Sequence, residues 1–255
     1  MCGRFVSTTT PQDLVSLLGE LRWDPAEAFA PSWNVAPTDP VPAVLERVDQ
    51  ETGELLRQLR PLRWGLVPSW SKDPSGGARM INARSETVDT KPAFRKAFTA
   101  RRCVIPADGY FEWREVPATA DRKKYKQPYF LSTGGLMLMA GLYEFWRDRT
   151  RPEGDPLAWL ATATVITTDA TDSAGRVHDR MPLTIAPDDL ATWLSPAHTE
   201  PAELHHLLRR PADGALRVRA VPTTVNSVRN NGPELLDTAP DPLGLADRER
   251  TEESR

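Results

Sequence analysis

The chain of 255 residues is poor in the residues that build disulfide frameworks and metal centres. It has two cysteines, Cys2 and Cys103, and four histidines, with no CxxC or HExxH spacing. Disulfide-stapled domains need more cysteine, and zinc sites need ligands clustered at short spacings. We therefore expect no metal and no cofactor. A reducing cytoplasm, which keeps both thiols free, is the compartment that this cysteine content favours.

Long apolar runs and a strong charge of one sign are also missing. No run is long enough to span a membrane, and the N-terminus lacks the pattern of a signal peptide, so no membrane partner is expected. The formal net charge of -3 gives no global signature of nucleic-acid binding. Charge is unevenly placed, however, because the acid-rich segment from Asp237 onward masks arginines in the body of the chain.

The pattern of segments predicts an α+β fold of mostly antiparallel sheet with short helices. Val41–Val48 and Leu55–Arg63 alternate around a turn and predict a hairpin. Further strands are predicted at Cys103–Pro106, Tyr110–Arg114, Pro128–Ser132, Leu136–Tyr143, Trp159–Thr168 and Val218–Val221. Helices are predicted after Thr10 and at Pro92–Arg101, Leu190–Leu194 and Ala202–Leu208. Ser32–Pro42 and Trp64–Arg84 are interpreted as loops.

One folded domain is predicted over residues 1–236, and we expect it to be a monomer. Residues 237–255 are charged, contain proline and have few large apolar side chains, so they predict a disordered tail.

The chain opens Met1-Cys2-Gly3-Arg4, and the small second residue favours removal of Met1. Cys2 would then carry a free α-amine, with a pKa of roughly 7.7–8.0, beside its thiol. The thiol, near pKa 8.5, would supply a few per cent of thiolate. Such a pair can capture one aldehyde twice, first as an imine and then as a thiazolidine ring. The alternative is that Cys2 is an incidental residue of a frayed terminus.

Three later segments are too polar for packing alone and contain candidate catalytic residues. Glu112 lies among aromatic residues, which would raise its pKa and suit it to general acid–base work; the alternative is a solvated strand carboxylate. His178, in a charged turn, is a candidate base near neutral pH or an ordinary surface histidine. Asn82 either orients a reacting group or forms a turn.

Arginine and tryptophan are the candidates for contact with DNA. Arg4, Arg84 and Arg180 are suited to phosphate binding, with surface salt bridges as the alternative. Trp70 is a candidate platform for unpaired bases. Trp64 is better explained as core packing.

Together, and in this order, several motifs resemble those of the SOS-response-associated peptidase (SRAP) family. The similarity extends from Met1 to about Leu236. The matching motifs lie at Met1–Arg4, Trp33–Pro37, Trp64–Trp70, Ile81–Thr87, Asp108–Trp113, His178–Pro182 and Asn226–Asn230. Chance agreement of so many ordered motifs is rare.

The resemblance implies a compact α+β domain around a DNA-binding groove, and an activity on single-stranded DNA that contains abasic sites. In this family the N-terminal cysteine forms a stable thiazolidine with the ring-opened sugar, which protects the site; an abasic-site lyase activity is an associated expectation. The catalytic residues carried over are Cys2, Asn82, Glu112 and His178. The DNA-contacting residues carried over are Arg4, Trp70, Arg84, Thr167 and Arg180.

The sequence departs from the family pattern at one position, and it is compatible with three other functions. Some bacterial members have two adjacent tryptophans where this chain has Trp70-Ser71, which leaves the preference for DNA junctions open. The Met-Cys-Gly start also occurs in N-terminal-nucleophile amidohydrolases of the glutamine amidotransferase type. A cysteine-type peptidase or autopeptidase and a noncatalytic single-strand-binding module are the other two alternatives.

Overall fold

The structure is a computed structural model that describes residues 2–27, 29–212 and 214–247, with only the backbone of 172–173. The strands are β1 (Arg4–Ser7), β2 (Ser32–Val35), β3 (Pro40–Val48), β4 (Leu55–Trp64), β5 (Asn82–Arg84), β6 (Arg102–Ala107), β7 (Gly109–Val116), β8 (Tyr125–Ser132), β9 (Met137–Arg147), β10 (Trp159–Asp169), β11 (Arg180–Pro182) and β12 (Arg217–Ala220). The helices are α1 (Pro11–Leu18), α2 (Arg95–Ala100), α3 (Asp172–Val177), α4 (Leu190–Leu194) and α5 (Pro201–Leu204). The predicted α+β class with mainly antiparallel sheet is confirmed.

The larger sheet closes on itself as a barrel. Its strand order is β11-β10-β4-β3-β6-β9, and β9 pairs again with β10 to complete the ring. The predicted hairpin is confirmed as β3 and β4, in register from Pro40 opposite Arg63 to Val48 opposite Leu55. Two parallel pairings were not predicted: β10 runs parallel to β4 and to β5. Closure leaves the central strands without open edges.

The smaller sheet is antiparallel, in the order β12-β8-β7-β1-β2. Side chains alternate across it, so each strand serves two hydrophobic clusters. Phe5, Tyr110 and Tyr129 face the barrel in a cluster that also contains Cys2. On the opposite face, Phe111 packs with Val225 and other residues of the segment that follows β12. Cys2 and the segment that follows β12 thereby lie on opposite faces of one sheet.

Helices play a small part in this fold, and among the described residues none is long and apolar enough to cross a membrane. Helix α1 begins as predicted, with Thr10 as its N-cap accepting from the Asp13 backbone N–H at 3.2 Å. The predicted helix at Pro92–Arg101 is shorter, because regular α-helix is confined to α2.

The short strands β1, β2, β5 and β11 were not predicted, and β2 and β5 fall in segments interpreted as loops. Each has only three or four residues, too few to show alternation. The segment interpreted as a loop before β5 is also shaped by the close approach of two parts of its own backbone. Gly65 adopts φ +124, and a Cβ there would lie 2.6 Å from the carbonyl oxygen of Gly77.

The structure differs from the predicted tail over residues 237–247. Asp241 accepts a hydrogen bond from the Tyr129 hydroxyl at 2.7 Å, and Leu245 packs against the core. The Asp247 backbone N–H donates to Val218 at 2.9 Å. A few well-placed polar contacts and one apolar anchor order this stretch despite its hydrophilic composition. Residues 248–255 of the predicted tail lie outside the described residues.

Candidate active site

Cys2 lies fully buried immediately before β1. Its carbonyl oxygen accepts a hydrogen bond of 2.7 Å from the Asn82 side-chain amide, and its Sγ lies 3.9 Å from the Arg4 carbonyl oxygen. Asn82 is aligned because β5 pairs with β10, with Asn82 opposite Val165. Asn82 therefore contacts Cys2 through the Cys2 backbone carbonyl, and this bond joins the N-terminal segment to the barrel.

Glu112 reaches the same place from the smaller sheet. Strand β7 pairs with β1, with Phe5 opposite Tyr110, so the Glu112 carboxyl group comes close to Cys2. Glu112 is only 4% exposed. Burial raises the pKa of Glu112 to about 7, and the Asp179 carboxylate acts in the same direction. Near neutral pH this carboxyl group can therefore both give and take a proton.

The thiol of Cys2 is less acidic than an ordinary cysteine. Burial and the neighbouring Glu112 carboxylate both raise the pKa of the Cys2 thiol. The expectation of a few per cent of thiolate at neutral pH is accordingly wrong, because a thiolate is poorly solvated in this environment. A thiol held neutral needs a base to accept its proton when it attacks.

The Tyr110 hydroxyl and the Asn82 Oδ1 are buried polar atoms near Cys2 that have no hydrogen-bond partner within the described ranges. Burial and the proximity of Cys2 and Glu112 raise the pKa of Tyr110, so its hydroxyl stays protonated. Buried polar atoms are usually paired, and exceptions often occur at functional sites.

His178 follows directly on α3, which packs against β7 and β12. Its Nδ1 lies 3.0 Å from the Arg180 backbone N–H and 2.8 Å from Asp179 Oδ1. Both contacts are made by Nδ1, and they hold the imidazole ring in one orientation. Burial lowers the pKa of His178, which keeps the ring largely neutral at pH 7. The structure thus brings Cys2, Asn82 and Glu112 together from three separate parts of the chain, and it places His178 at the end of a helix that packs against the strand of Glu112.

Comparison with known proteins shows the family of the chain. The family model described as SOS response associated peptidase (SRAP) matches residues 1–228. The chain belongs to the SRAP family. Among its relatives, Abasic site processing protein YoqW of Bacillus subtilis is 36% identical over 93% of this chain and 100% of the relative. Abasic site processing protein HMCES of Gallus gallus is 34% identical over 82% of this chain and 66% of the relative.

Solved structures have a similar fold. A protein from Bacteroides thetaiotaomicron covers 93% of this chain and all of its own, with a TM-score of 0.75 at 23% identity. A phage-related protein from Bordetella bronchiseptica covers 86% of this chain and 94% of its own, with a TM-score of 0.60 at 27% identity. The first of these likenesses shows the fold alone.

The candidate DNA-contacting residues of this SRAP protein fall into two groups. Arg84 and Trp70 are exposed, with Trp70 at 63%. Thr167 is buried opposite Arg84 in the pairing of β10 with β5, and its hydroxyl lies 3.5 Å from the Ala83 carbonyl oxygen. Arg84 and Trp70 are therefore accessible to a ligand, whereas Thr167 lies beneath the surface.

Arg180 is engaged within the protein. Its guanidinium donates to both carboxylate oxygens of Glu86, at 2.6 and 3.0 Å, and to Asp169 at 2.6 Å. It also donates to the Thr167 carbonyl oxygen. A phosphate would have to compete with two carboxylates for this cation.

Arg4 pairs with Phe111, so its side chain lies on one face of the smaller sheet and the Glu112 side chain lies on the other. It donates to Asn34 Oδ1 at 2.8 Å and to the Val225 carbonyl oxygen at 3.0 Å. Its guanidinium also lies 5.7 Å from the centre of the Trp113 ring. Arg4 therefore holds the segment after β12 against the sheet.

Asn34 is a structural residue of the site region that sequence reasoning left without a role. Its side-chain amide lies within hydrogen-bond distance of three carbonyl oxygens, those of Val225, Ser227 and Asn230, at 2.9–3.3 Å. The sequence did mark both partners of this contact, because one family motif contains Asn34 and another consists of residues 226–230. What could not be predicted is that these two motifs bind each other.

Proposed function

We propose that this SRAP protein captures abasic sites in single-stranded DNA as a covalent thiazolidine at Cys2. The observation that carries the proposal is the position of Cys2, held by Asn82 beside a buried Glu112 whose pKa is about 7. The relatives named abasic site processing proteins support the substrate class. The proposal requires removal of Met1, which gives Cys2 its α-amine.

The first step is attack of the neutral Cys2 amine on the aldehyde of the ring-opened sugar. The new C–N bond gives a carbinolamine, and protonated Glu112 donates to the hydroxyl that leaves as water, which produces an imine. The buried site favours this step because it holds the reacting groups in contact and excludes bulk water.

The second step closes the ring. Ionised Glu112 accepts the thiol proton while sulfur adds to the imine carbon, and the nitrogen takes up a proton. One water is lost overall, and the product contains C–N and C–S bonds to the former aldehyde carbon. A base is needed because the pKa of the Cys2 thiol is raised. Glu112 is suited to this role because its carboxylate is close enough to act on the pKa of Cys2.

Reversal requires the opposite proton movements at the sugar oxygen, and His178 is suited to them. Its ring is neutral near pH 7, and the Arg180 backbone N–H fixes its orientation. A neutral imidazole can accept the proton of the sugar hydroxyl as that oxygen attacks the adduct carbon.

The decisive experiment mixes the protein with abasic single-stranded DNA and separates the products under denaturing conditions. The parent and Cys103→Ala, the matched thiol control, should give a crosslinked band. Cys2→Ala should give none, and neither should a protein with uncleaved residues before Cys2. Crosslinking by the extended protein, or by Cys2→Ala, would contradict the thiazolidine.

The same samples separate the alternatives. A thiolate peptidase is disfavoured by the raised pKa of Cys2. A noncatalytic binding module predicts DNA retention under native conditions with no band after denaturation. The Cys2→Ala variant keeps a terminal amine, so borohydride should still trap its imine, which would show that the amine reacts first.

A further inference from the structure

The two arginines Arg4 and Arg180 are occupied by partners within the protein, which leaves few cations near Cys2 to hold a DNA backbone. Arg84 is exposed on one side of the site. On the other side, the hairpin formed by β7 and β8 extends away from Glu112, and its turn is rich in basic residues. The basic residues of this hairpin have no role in the site as described above.

Alternation places Arg114 on the same face of β7 as Glu112, about 7 Å further along at ~3.3 Å per residue. Arg114 is exposed, and in the described part of the chain it forms no ion pair. Its neighbour Glu115 points to the other face and lies 3.8 Å from Lys124. Arg114 is close enough to His178 to act with burial in lowering the pKa of that histidine.

A second cation continues the same face toward the turn. Tyr125 lies opposite Val116 in the hairpin register, and Val116 shares the face of Glu112 and Arg114. The Arg122 guanidinium lies 4.5 Å from the centre of the Tyr125 ring, a cation–π distance that fixes its position. Val116 is about 13 Å from Glu112 along the strand, so Arg122 lies well beyond Glu112 on this face.

We infer that the face of the β7–β8 hairpin carrying Arg114 and Arg122 binds the single-stranded DNA backbone on one side of the abasic nucleotide. Arg114 takes the phosphate adjacent to the reacting sugar, and Arg122, positioned by Tyr125, takes a phosphate further along. The inference rests on the proposed function, and it adds a direction in which the flanking strand leaves the site. Contacts of this kind are independent of sequence.

The hairpin supplies its own control. Lys126 lies opposite Glu115 in the register and is exposed on the face away from the site. Lys126→Gln removes the same charge as Arg114→Gln from the same element but from the wrong face. Arg149→Gln removes an exposed cation just beyond Arg147, which pairs with Trp159 at the end of β10 far from Thr167.

The probe is a fluorescent single-stranded oligonucleotide with a tetrahydrofuran abasic analogue, which has no aldehyde and cannot crosslink. Its affinity is measured by anisotropy at several salt concentrations. Arg114→Gln should reduce the magnitude of the salt slope by about 0.7, and Arg114→Gln with Arg122→Gln by about 1.4. Lys126→Gln and Arg149→Gln should leave the slope near the parent value.

The position of the contacted phosphates along the DNA gives a second readout. Shortening the oligonucleotide on one side of the analogue should abolish the difference between parent and double variant, and shortening it on the other side should preserve the difference. An unchanged slope in the double variant would overturn the inference, as would an equal loss in Lys126→Gln. Failure of the parent to crosslink aldehyde-bearing DNA would instead overturn the proposed function, whatever the slopes are.

Discussion

At the scale of single residues, the burial that suits the Glu112 carboxyl group to proton transfer also reduces the stability of the folded protein near neutral pH. The unfolded chain ionises this group at its ordinary pKa of 4.5, whereas burial raises the pKa to about 7 in the folded protein. Between those values the folded state binds more protons than the unfolded state. The contribution of Glu112 to stability therefore falls as pH rises from about 4.5 to about 7 and stays low above it.

Replacing Glu112 by glutamine should remove this penalty. At about pH 8 the variant should be more stable than the parent by up to about 3 kcal/mol, and near pH 4.5 the difference should vanish. Thermal unfolding across this range is the measurement. Glu115→Gln, on the same strand but exposed, is the control. A Glu112→Gln protein that is less stable at high pH would contradict the assigned burial effect.

The same substitution should slow crosslink formation about a hundredfold, a typical loss for one general acid–base group. His178→Ala should form the crosslink at a rate closer to the parent's, but should release DNA much more slowly into unlabelled competitor. The physical reason is that in the proposed mechanism His178 acts on the sugar oxygen, whereas Glu112 acts on the carbinolamine hydroxyl and on the thiol. Release by His178→Ala at the parent rate would refute this division of roles.

At the scale of elements, the site depends on short strands that no local pattern announces. The hairpin of β3 and β4 was predictable because each of its strands is long enough to alternate. Strands β1 and β5 were not, since three or four residues adopt extended structure only when a neighbouring strand pairs with them. Cys2 and Asn82 could be named as site residues from their motifs, but their contact follows from β10 accepting β5 as a parallel partner.

The segment after β12 is a second element whose position depends on tertiary contacts, chiefly those of Asn34. Asn34→Ala removes a donor to three carbonyl oxygens and an acceptor for Arg4. We expect a loss of about 1–3 kcal/mol, with faster hydrogen exchange confined to residues 223–231. Gln50→Ala, at an exposed turn, is the control. Unchanged exchange in that segment would show that Arg4 alone holds it.

At the scale of the whole molecule, the pattern of segments correctly predicted the α+β class, but composition was misleading about the C-terminal end. Disorder was predicted from residue 237 because the segment is polar. The structure instead ties it to three parts of the fold: Asp241 to Tyr129, Asp247 to β12, and Asp247 to Arg176 at 3.0 Å. Average hydrophilicity cannot report such pairings, because they depend on which buried or edge groups need a partner.

A comparison of two truncated chains tests this end of the molecule. A chain ending at Leu236 should be less stable than one ending at Asp247 by about 3 kcal/mol or more, since it loses several hydrogen bonds worth about 1 kcal/mol each as well as the packing of Leu245. Tyr129→Phe in the longer chain removes one of those bonds and should account for only part of the difference. Arg176 lies in α3, two residues before His178, so the shorter chain should also release crosslinked DNA at an altered rate. Equal unfolding midpoints for the two chains in denaturant would show that residues 237–247 rest on the fold without stabilising it.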